Sequence, residues 1–307
     1  MSTKAWIFPG QGSQYVGMGM DLCERSAVAR ELFDRADAAL GIPLSRICFE
    51  GPGEELKQTR NTQPAIFLHS MAAAALADRR GVVMTAGHSL GEYSALVFAG
   101  AMTFEDGLRL VRLRGESMQR AGEENKGTMA AVVGLAPVVV EALCAEASAA
   151  GVVQCANFNS PGQIVISGSV DGVHKAMELA KAKGAKLVKE LVVSGAFHSP
   201  LMQSAREGLQ NALSATEVRD AQIPVYANVT AKPVQKAEEI RTLLAAQLTS
   251  AVRWEESVAA MAAAGASTFV EIGPGKVLQG LVKRIAATAE VLGADTMSDI
   301  EHLTTAT

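Results

Sequence analysis

One pentapeptide constrains this chain more than any other stretch. Gly87-His88-Ser89-Leu90-Gly91 lies between the apolar run Val82-Val83-Met84 and the helix-compatible segment Glu92-Tyr93-Ser94-Ala95-Leu96-Val97-Phe98. Strand, sharp turn and helix in that order form the context of a nucleophile elbow, because a serine stands exposed above a sheet edge only in a tight turn with glycines on either side. A helix that opens just after Ser89 also points backbone N–H groups at any oxyanion formed there. The pentapeptide alone is equally compatible with an ordinary strand-to-helix turn carrying a surface serine.

The flanking pattern favours a sheet for the elbow to stand on. Ala5–Phe8 reads as a buried strand leading into the glycine-rich turn Pro9-Gly10-Gln11-Gly12-Ser13-Gln14, which lacks the G-x-x-x-x-G-K-[ST] of a phosphate loop. A helix is expected to start at Thr62-Gln63-Pro64 and run to about Ala77, and a capping-box-like Thr103-Phe104-Glu105-Asp106 opens another to about Ala121. The polar stretch Gly122–Gly127 then reads as a linker. Between about 126 and 195 the pattern is β-α-β-β-α-β, the ferredoxin-like arrangement. After Ser199-Pro200 the chain returns to helix, a strand at Ile223–Asn228, a helix at Glu238–Leu248, a strand at Thr268–Ile272, the turn Gly273-Pro274-Gly275 and a helix at Val277–Ala287. The expected fold is α/β. A hydrolase-like large domain, residues 1–125 and 196–307, carries a mostly parallel sheet, and a ferredoxin-like subdomain, residues 126–195, is inserted in it. The residues from about Asp295 are expected to fray.

Composition removes several function classes. With 307 residues, 49% of them apolar, a net charge of −4 and a pI near 5.8, there is no global basic field to attract nucleic acid. The longest apolar stretch, Ala65 to Ala77, is interrupted by His69 and Ser70 and falls short of a membrane span. The N-terminal apolar run is too short for a signal-peptide core. Cys23, Cys48, Cys144 and Cys155 show no C-x-x-C spacing, which argues against a zinc site or a disulfide framework and for a reducing cytoplasm.

A serine nucleophile needs a base, and five histidines are available. His88 adjoins Ser89 and should pack under the elbow, His69 is mid-helix, His174 lies on a surface helix and His302 in the tail. His198 differs, sitting in the crossover that leaves the small subdomain, where a side chain can face a cleft. Its ordinary pKa near 6.5 suits proton transfer around neutrality. No aspartate stands out as a third member, so a dyad with the imidazole oriented by a backbone carbonyl is the simpler arrangement. Arg114 is the other conspicuous residue. On a 100° wheel it lies at the edge of the apolar face formed by Phe104, Leu108, Val111, Gly115 and Met118. A guanidinium there either snorkels to water, meets an internal carboxylate or awaits an anionic ligand.

Several further motifs sit in order along the chain: Phe8-Pro9-Gly10-Gln11-Gly12-Ser13-Gln14, Asn157-Phe158-Asn159-Ser160-Pro161-Gly162-Gln163, Gly195-Ala196-Phe197-His198-Ser199 and Glu271-Ile272-Gly273-Pro274-Gly275. Together with the elbow and Arg114, from residue 4 to about 284, they resemble the malonyl-CoA:acyl-carrier-protein transacylases. The resemblance implies ping-pong acyl transfer through a malonyl ester of Ser89, with His198 as base and the Gln11 and Leu90 N–H groups as oxyanion donors. It implies that Gln247 supplies the carbonyl that orients His198, and that Arg114 grips the malonyl carboxylate. Gln63 resembles a further active-site glutamine of the family, and Phe197 its malonyl-selective version, in which a ring disfavours a 2-methyl substituent. The implied donor is malonyl-CoA with no permanently bound cofactor and no metal. The implied partner is an acidic, phosphopantetheinylated acyl carrier protein of fatty-acid or polyketide synthesis. Lys175, Lys181, Lys183, Lys186 and Lys189 are either a docking face for it or a solvated surface. A thioester hydrolase using the same elbow, and a non-enzymatic carrier-binding subunit, are the rival functions.

Overall fold

A computed structural model describes residues 3–305. Its core is a six-stranded sheet in the order β10-β9-β1-β2-β7-β8, built from β1 (Lys4–Phe8), β2 (Val82–Gly87), β7 (Val225–Tyr226), β8 (Pro233–Val234), β9 (Thr268–Ile272) and β10 (Glu290–Ala294). All neighbours run parallel except β7 and β8. β9 is buried at every residue and β1 at all but Lys4, as expected of central strands covered by helices on both faces. Successive connections leave β1 toward β2 on one side while β9 joins it on the other. The loops after β1, β2 and β9 therefore meet at the carboxyl edge, where α/β sheets bind ligands.

The second sheet is antiparallel, in the order β4-β5-β3-β6, from β3 (Gly127–Val133), β4 (Val153–Ser160), β5 (Gln163–Ser169) and β6 (Leu187–Glu190). With the helices Pro137–Ala147 and Val170–Ala182 it reproduces the ferredoxin-like topology. Its apolar face closes a core of its own, with Val132, Val140, Ile164, Ile166 and Val173 buried. The small sheet is tied to the chain between the helices Ala237–Gln247 and Trp254–Ala263 at Val252, whose N–H donates to Ala156 O at 2.8 Å and whose carbonyl accepts from Phe158 N at 2.9 Å.

Three local expectations change. The helix expected from Thr62 starts at Thr59 and runs to Leu76, with Pro64 inside it. Proline removes the bond to the carbonyl four residues back, and that carbonyl, Arg60 O, accepts from Arg112 Nη1 at 3.0 Å instead. The stretch Gly122–Gly127 is not a linker: the helix capped by Thr103 extends over Phe104–Glu124, and β3 begins at Gly127. A Cβ on Gly122 would lie 2.1 Å from Ser194 O, so this glycine serves a close backbone crossing rather than a helix stop. The tail is also ordered as far as it is described. Beyond β10, the helix Met297–Thr305 is held by a Thr296–Asp299 cap, by Met297 N donating to Asp21 Oδ2 at 2.7 Å, and by buried Ile300. No helix among the described residues is long and apolar enough to cross a membrane.

Candidate active site

The elbow sits where β2 ends. Ser89 adopts φ 51°, the left-handed conformation that lifts its side chain off the turn, and the helix Gly91–Phe98 follows at once. A Cβ on Gly87 would lie 1.8 Å from the Gly91 carbonyl carbon, so no larger residue fits there. Asn228, just past β7, clamps the turn from the neighbouring strand: its Oδ1 accepts from Ser89 N and its Nδ2 donates to Gly87 O, both at 2.7 Å.

His198 reaches the serine from the loop that follows β6. Its Nε2 is 2.8 Å from Ser89 Oγ, and its Nδ1 is 2.9 Å from the carbonyl of Gln247. The carbonyl can only accept, so Nδ1 carries the proton and Nε2 is the free base facing the hydroxyl. Burial, then the nearby Arg114 charge, pushes the imidazole down to about 3 despite the Gln247 bond, which keeps it neutral at physiological pH. The carbonyl of His198 itself accepts from Gln154 Nε2 on β4 at 2.8 Å, tying the loop to the small sheet.

Arg114 is fully buried on the Phe104–Glu124 helix. Its Nη2 donates to Ser89 Oγ at 3.0 Å and to Gln247 Oε1 at 2.9 Å, and its Nη1 to Gln63 Oε1 at 2.8 Å. No carboxylate forms a salt bridge with it among the described residues. The side chain does not snorkel. It presents a charge held by neutral oxygens beside the nucleophile, which is how a receptor for an anion is built.

Gln11, Leu90 and Phe197 line the same cavity of about 250 Å³ as Ser89, His198 and Arg114. The Gln11 and Leu90 N–H groups have no hydrogen-bond acceptor among the described residues. Val165 and Val193, from the small sheet and its exit loop, and Leu278 and Leu281, from the helix Val277–Ile285, add apolar lining to the cleft. The arrangement combines a nucleophile, a neutral base, uncommitted donors and a buried cation in one partly apolar cleft.

Of the other histidines, His88 also lines the cavity: half-buried beneath the elbow, it has Nε2 2.8 Å from Asn159 Oδ1 and its ring edge-on to Trp254 at 5.5 Å. His69 pairs with Asp295, His174 with Glu190, and His302 lies on the C-terminal helix. Sequence reasoning passed over Asn228, Gln154 and Glu92. Asn228 carried one usable signal, its position at the carboxyl end of a strand. Lys181, Lys183, Lys186 and Lys189 are exposed at the end of the Val170–Ala182 helix and along the edge strand β6, while Lys175 pairs with Glu178 at 3.3 Å.

Comparison with known proteins gives the class first: residues 5–303 match the acyl transferase domain family. The malonyl CoA-acyl carrier protein transacylase of Bacillus subtilis (strain 168) is 46% identical over 304 residues, spanning 98% of this chain and 96% of the relative. That of Escherichia coli (strain K12) is 44% identical over 291 residues, 94% of each chain. Among solved structures, the acyl-carrier-protein-S-malonyltransferase from Bartonella henselae superposes with a TM-score of 0.95 at 43% identity, over 100% of this chain and 99% of the other. A malonyl-transacylase in complex with its holo type II PKS acyl-carrier protein does so at 0.96 and 40% identity, over 100% of both. The chain belongs to the malonyl CoA-acyl carrier protein transacylase family of acyl transferases.

Proposed function

We propose that this protein transfers the malonyl group of malonyl-CoA to the phosphopantetheine thiol of an acyl carrier protein. The observation that carries the reading is the Arg114 guanidinium 3.0 Å from Ser89 Oγ, a carboxylate receptor beside a nucleophile. In the first half-reaction Ser89 Oγ attacks the thioester carbonyl and its proton passes to His198 Nε2. The C–O bond forms, the C–S bond breaks and the proton leaves on the coenzyme A thiol. In the second, the carrier thiol gives its proton to His198 and attacks the malonyl ester, and Ser89 recovers its hydrogen. The N–H groups of Gln11 and Leu90 stabilise both tetrahedral oxyanions. Gln247 orients His198, while Gln63 and Gln247 hold Arg114 against the malonyl carboxylate. Phe197 narrows the space beside the α-carbon.

Residues 1–125 and 196–307 form the catalytic domain in this reading and 126–195 an inserted subdomain, supported by the two separate sheets. The acyl-CoA donor sets the work in the cytoplasm. A fatty-acid carrier is the principal acceptor; the relative seen bound to a type II PKS carrier supports a polyketide carrier as the second. The test is partitioning. Incubation with malonyl-CoA should acylate holo carrier protein, or free pantetheine, far faster than water releases malonate. Release of malonate at the same rate with and without thiol would instead make this a hydrolase.

A further inference from the structure

We propose that Ser13 is a positioning residue for the oxyanion hole, whose hydroxyl fixes the Gly10–Gln11 peptide so that the Gln11 N–H points at the reacting carbonyl oxygen. The inference rests on the reading of Gln11 given above.

The Ser13 hydroxyl donates to the carbonyl of Gly10 at 2.8 Å. That carbonyl and the Gln11 N–H belong to one planar, trans peptide unit, in which C=O and N–H point in opposite directions. Pinning one end therefore aims the other. Gln11 lines the cavity, and its N–H has no acceptor among the described residues. Ser13 is buried and does not line the cavity, so it acts through the peptide and not on the substrate. The carbonyl end of the unit is committed, and the N–H end is free.

Two neighbours hold this loop. A Cβ on Gly10 would lie 2.5 Å from His88 O, and His88 N donates to Phe8 O at 3.0 Å, so the loop lies directly against the elbow that carries Leu90, the other oxyanion donor. Ser13 in turn packs on the turn Gly273-Pro274-Gly275. A Cβ on Gly275 would lie 3.3 Å from Ser13 O and 3.5 Å from Ser13 Cβ, and Gly275 N donates to Asp295 Oδ2 at 3.0 Å. The Ser13 backbone is thereby anchored, and its hydroxyl is a fixed donor rather than one that follows the peptide. Without it a buried carbonyl loses this partner, and the peptide gains by rotating the oxygen toward another donor or water, which swings the Gln11 N–H away. An N–H that meets only the oxyanion acts on the transition state and not on the bound thioester. Its loss therefore lowers the rate and leaves binding alone, whatever acyl group is carried.

The test follows acyl-enzyme formation by rapid-quench mass spectrometry over a range of malonyl-CoA and acetyl-CoA concentrations. Losing an oxyanion donor outright costs about 10²–10³ in rate, and Ser13→Ala, which misaims one, should lower the rate constant at saturation about tenfold or more with both donors. The half-saturating concentrations and the malonyl-to-acetyl ratio should stay at their wild-type values. Ser13→Thr keeps the hydroxyl and should stay within about threefold of the wild type. A fall of less than about tenfold in Ser13→Ala, a loss carried by half-saturation, a shifted donor ratio, or an equal loss in Ser13→Thr would overturn the proposal. Should Ser13→Ala fail to fold, Ser13→Cys, whose S–H is only a weak donor, is measured in its place. An ester in place of the Gly10–Gln11 amide, made by incorporating the α-hydroxy analogue of glutamine at position 11, separates the two levels by removing the N–H itself. If acylation keeps its rate in that protein, the reading of Gln11 fails; if it slows there while Ser13→Ala does not, only the role of Ser13 fails.

Discussion

Ser89 Oγ and His198 Nε2 stand 2.8 Å apart across 109 residues of chain, and both residues hold left-handed backbone, φ 51° and 57°. For residues other than glycine that conformation costs roughly 1–2 kcal/mol each. It persists because neighbours over-determine it. Asn228 holds Ser89 N, Gln247 holds Ser89 O and Gln154 holds His198 O. The strain raises each side chain off its own loop and turns it toward the other.

Replacing Ser89 by alanine should abolish the malonyl adduct seen by mass spectrometry and slow transfer by about 10⁴-fold or more, the scale of losing a covalent nucleophile. With His198 held down to about 3, its neutral form persists well below pH 6. Acetyl-enzyme formation should accordingly vary less than about twofold from pH 8 to 6. A steep loss with an apparent pKa near 6.5 would show an imidazole with no such environment.

Arg114→Ala removes the donors set to receive the carboxylate. Charge-assisted hydrogen bonds contribute about 1.5–3 kcal/mol each, so malonyl transfer should fall about 100-fold or more. Acetyl transfer, measured in parallel, should fall far less. Equal losses would assign Arg114 to holding Ser89 and Gln247 rather than to the substrate.

Phe197 is 6% exposed and faces the cavity. Phe197→Ala opens space for a 2-methyl group, whose discrimination is about 1–3 kcal/mol. The rate ratio of methylmalonyl-CoA to malonyl-CoA should rise about tenfold, measured by competition for one pool of enzyme. An unchanged ratio would move donor-size selection to another wall of the cleft.

Gly87→Ala should be far more damaging than an alanine at most glycines, because its methyl would coincide with the Gly91 carbonyl. Overlap of that kind forces the backbone to move, at a cost of about 3 kcal/mol or more. Thermal melting and soluble yield both report it, and a melting temperature within a degree or two of the wild type would contradict the elbow geometry.

Glu271 carries a pH prediction for stability. Its carboxylate accepts from Leu278 N and Gln279 N, at 3.0 and 3.2 Å, yet burial raises it from 4.5 to about 7. A raised folded value means the folded state holds the proton more tightly. The contribution is fully present below the unfolded value and is lost as pH rises through about 7, on the order of 3 kcal/mol in all. Buried His198 slopes the other way below its unfolded value, so the comparison must be with Glu271→Gln. That variant should lose less stability than the wild type between pH 5 and 8 in denaturant titrations, and a parallel pair of curves would contradict the shift.

Much of this was readable along the chain. The apolar run before Gly87, the glycines around Ser89 and the βαββαβ periodicity between 126 and 195 all reflect local requirements that leave a local pattern. Gln11, Leu90, Gln63 and Phe197 were reached through a resemblance, and the structure gathers all four at one cavity. The expected linker at Gly122–Gly127 and the expected start at Thr62 do not hold, because here Gly122 and Pro64 do not end or begin an element. In the fold their missing atoms serve a crossing with Ser194 and a carbonyl handed to Arg112. β10 and the final helix were missed because short, half-exposed segments have little period to detect.

By itself, the sequence determined the alternation that builds two sheets, the turn that exposes Ser89 and the presence of one arginine at the edge of an apolar helix face. Those depend on side chains and backbone within a few residues of each other. Only the tertiary structure decided that Arg114 is a buried cation beside Ser89 rather than a snorkelling one, that Gln247 serves His198 by its carbonyl and Arg114 by its amide, and that Glu92 accepts from the same amide. Such relations join residues 25 to 158 positions apart. Contacts between buried groups so far apart leave no trace in the spacing of the chain that carries them.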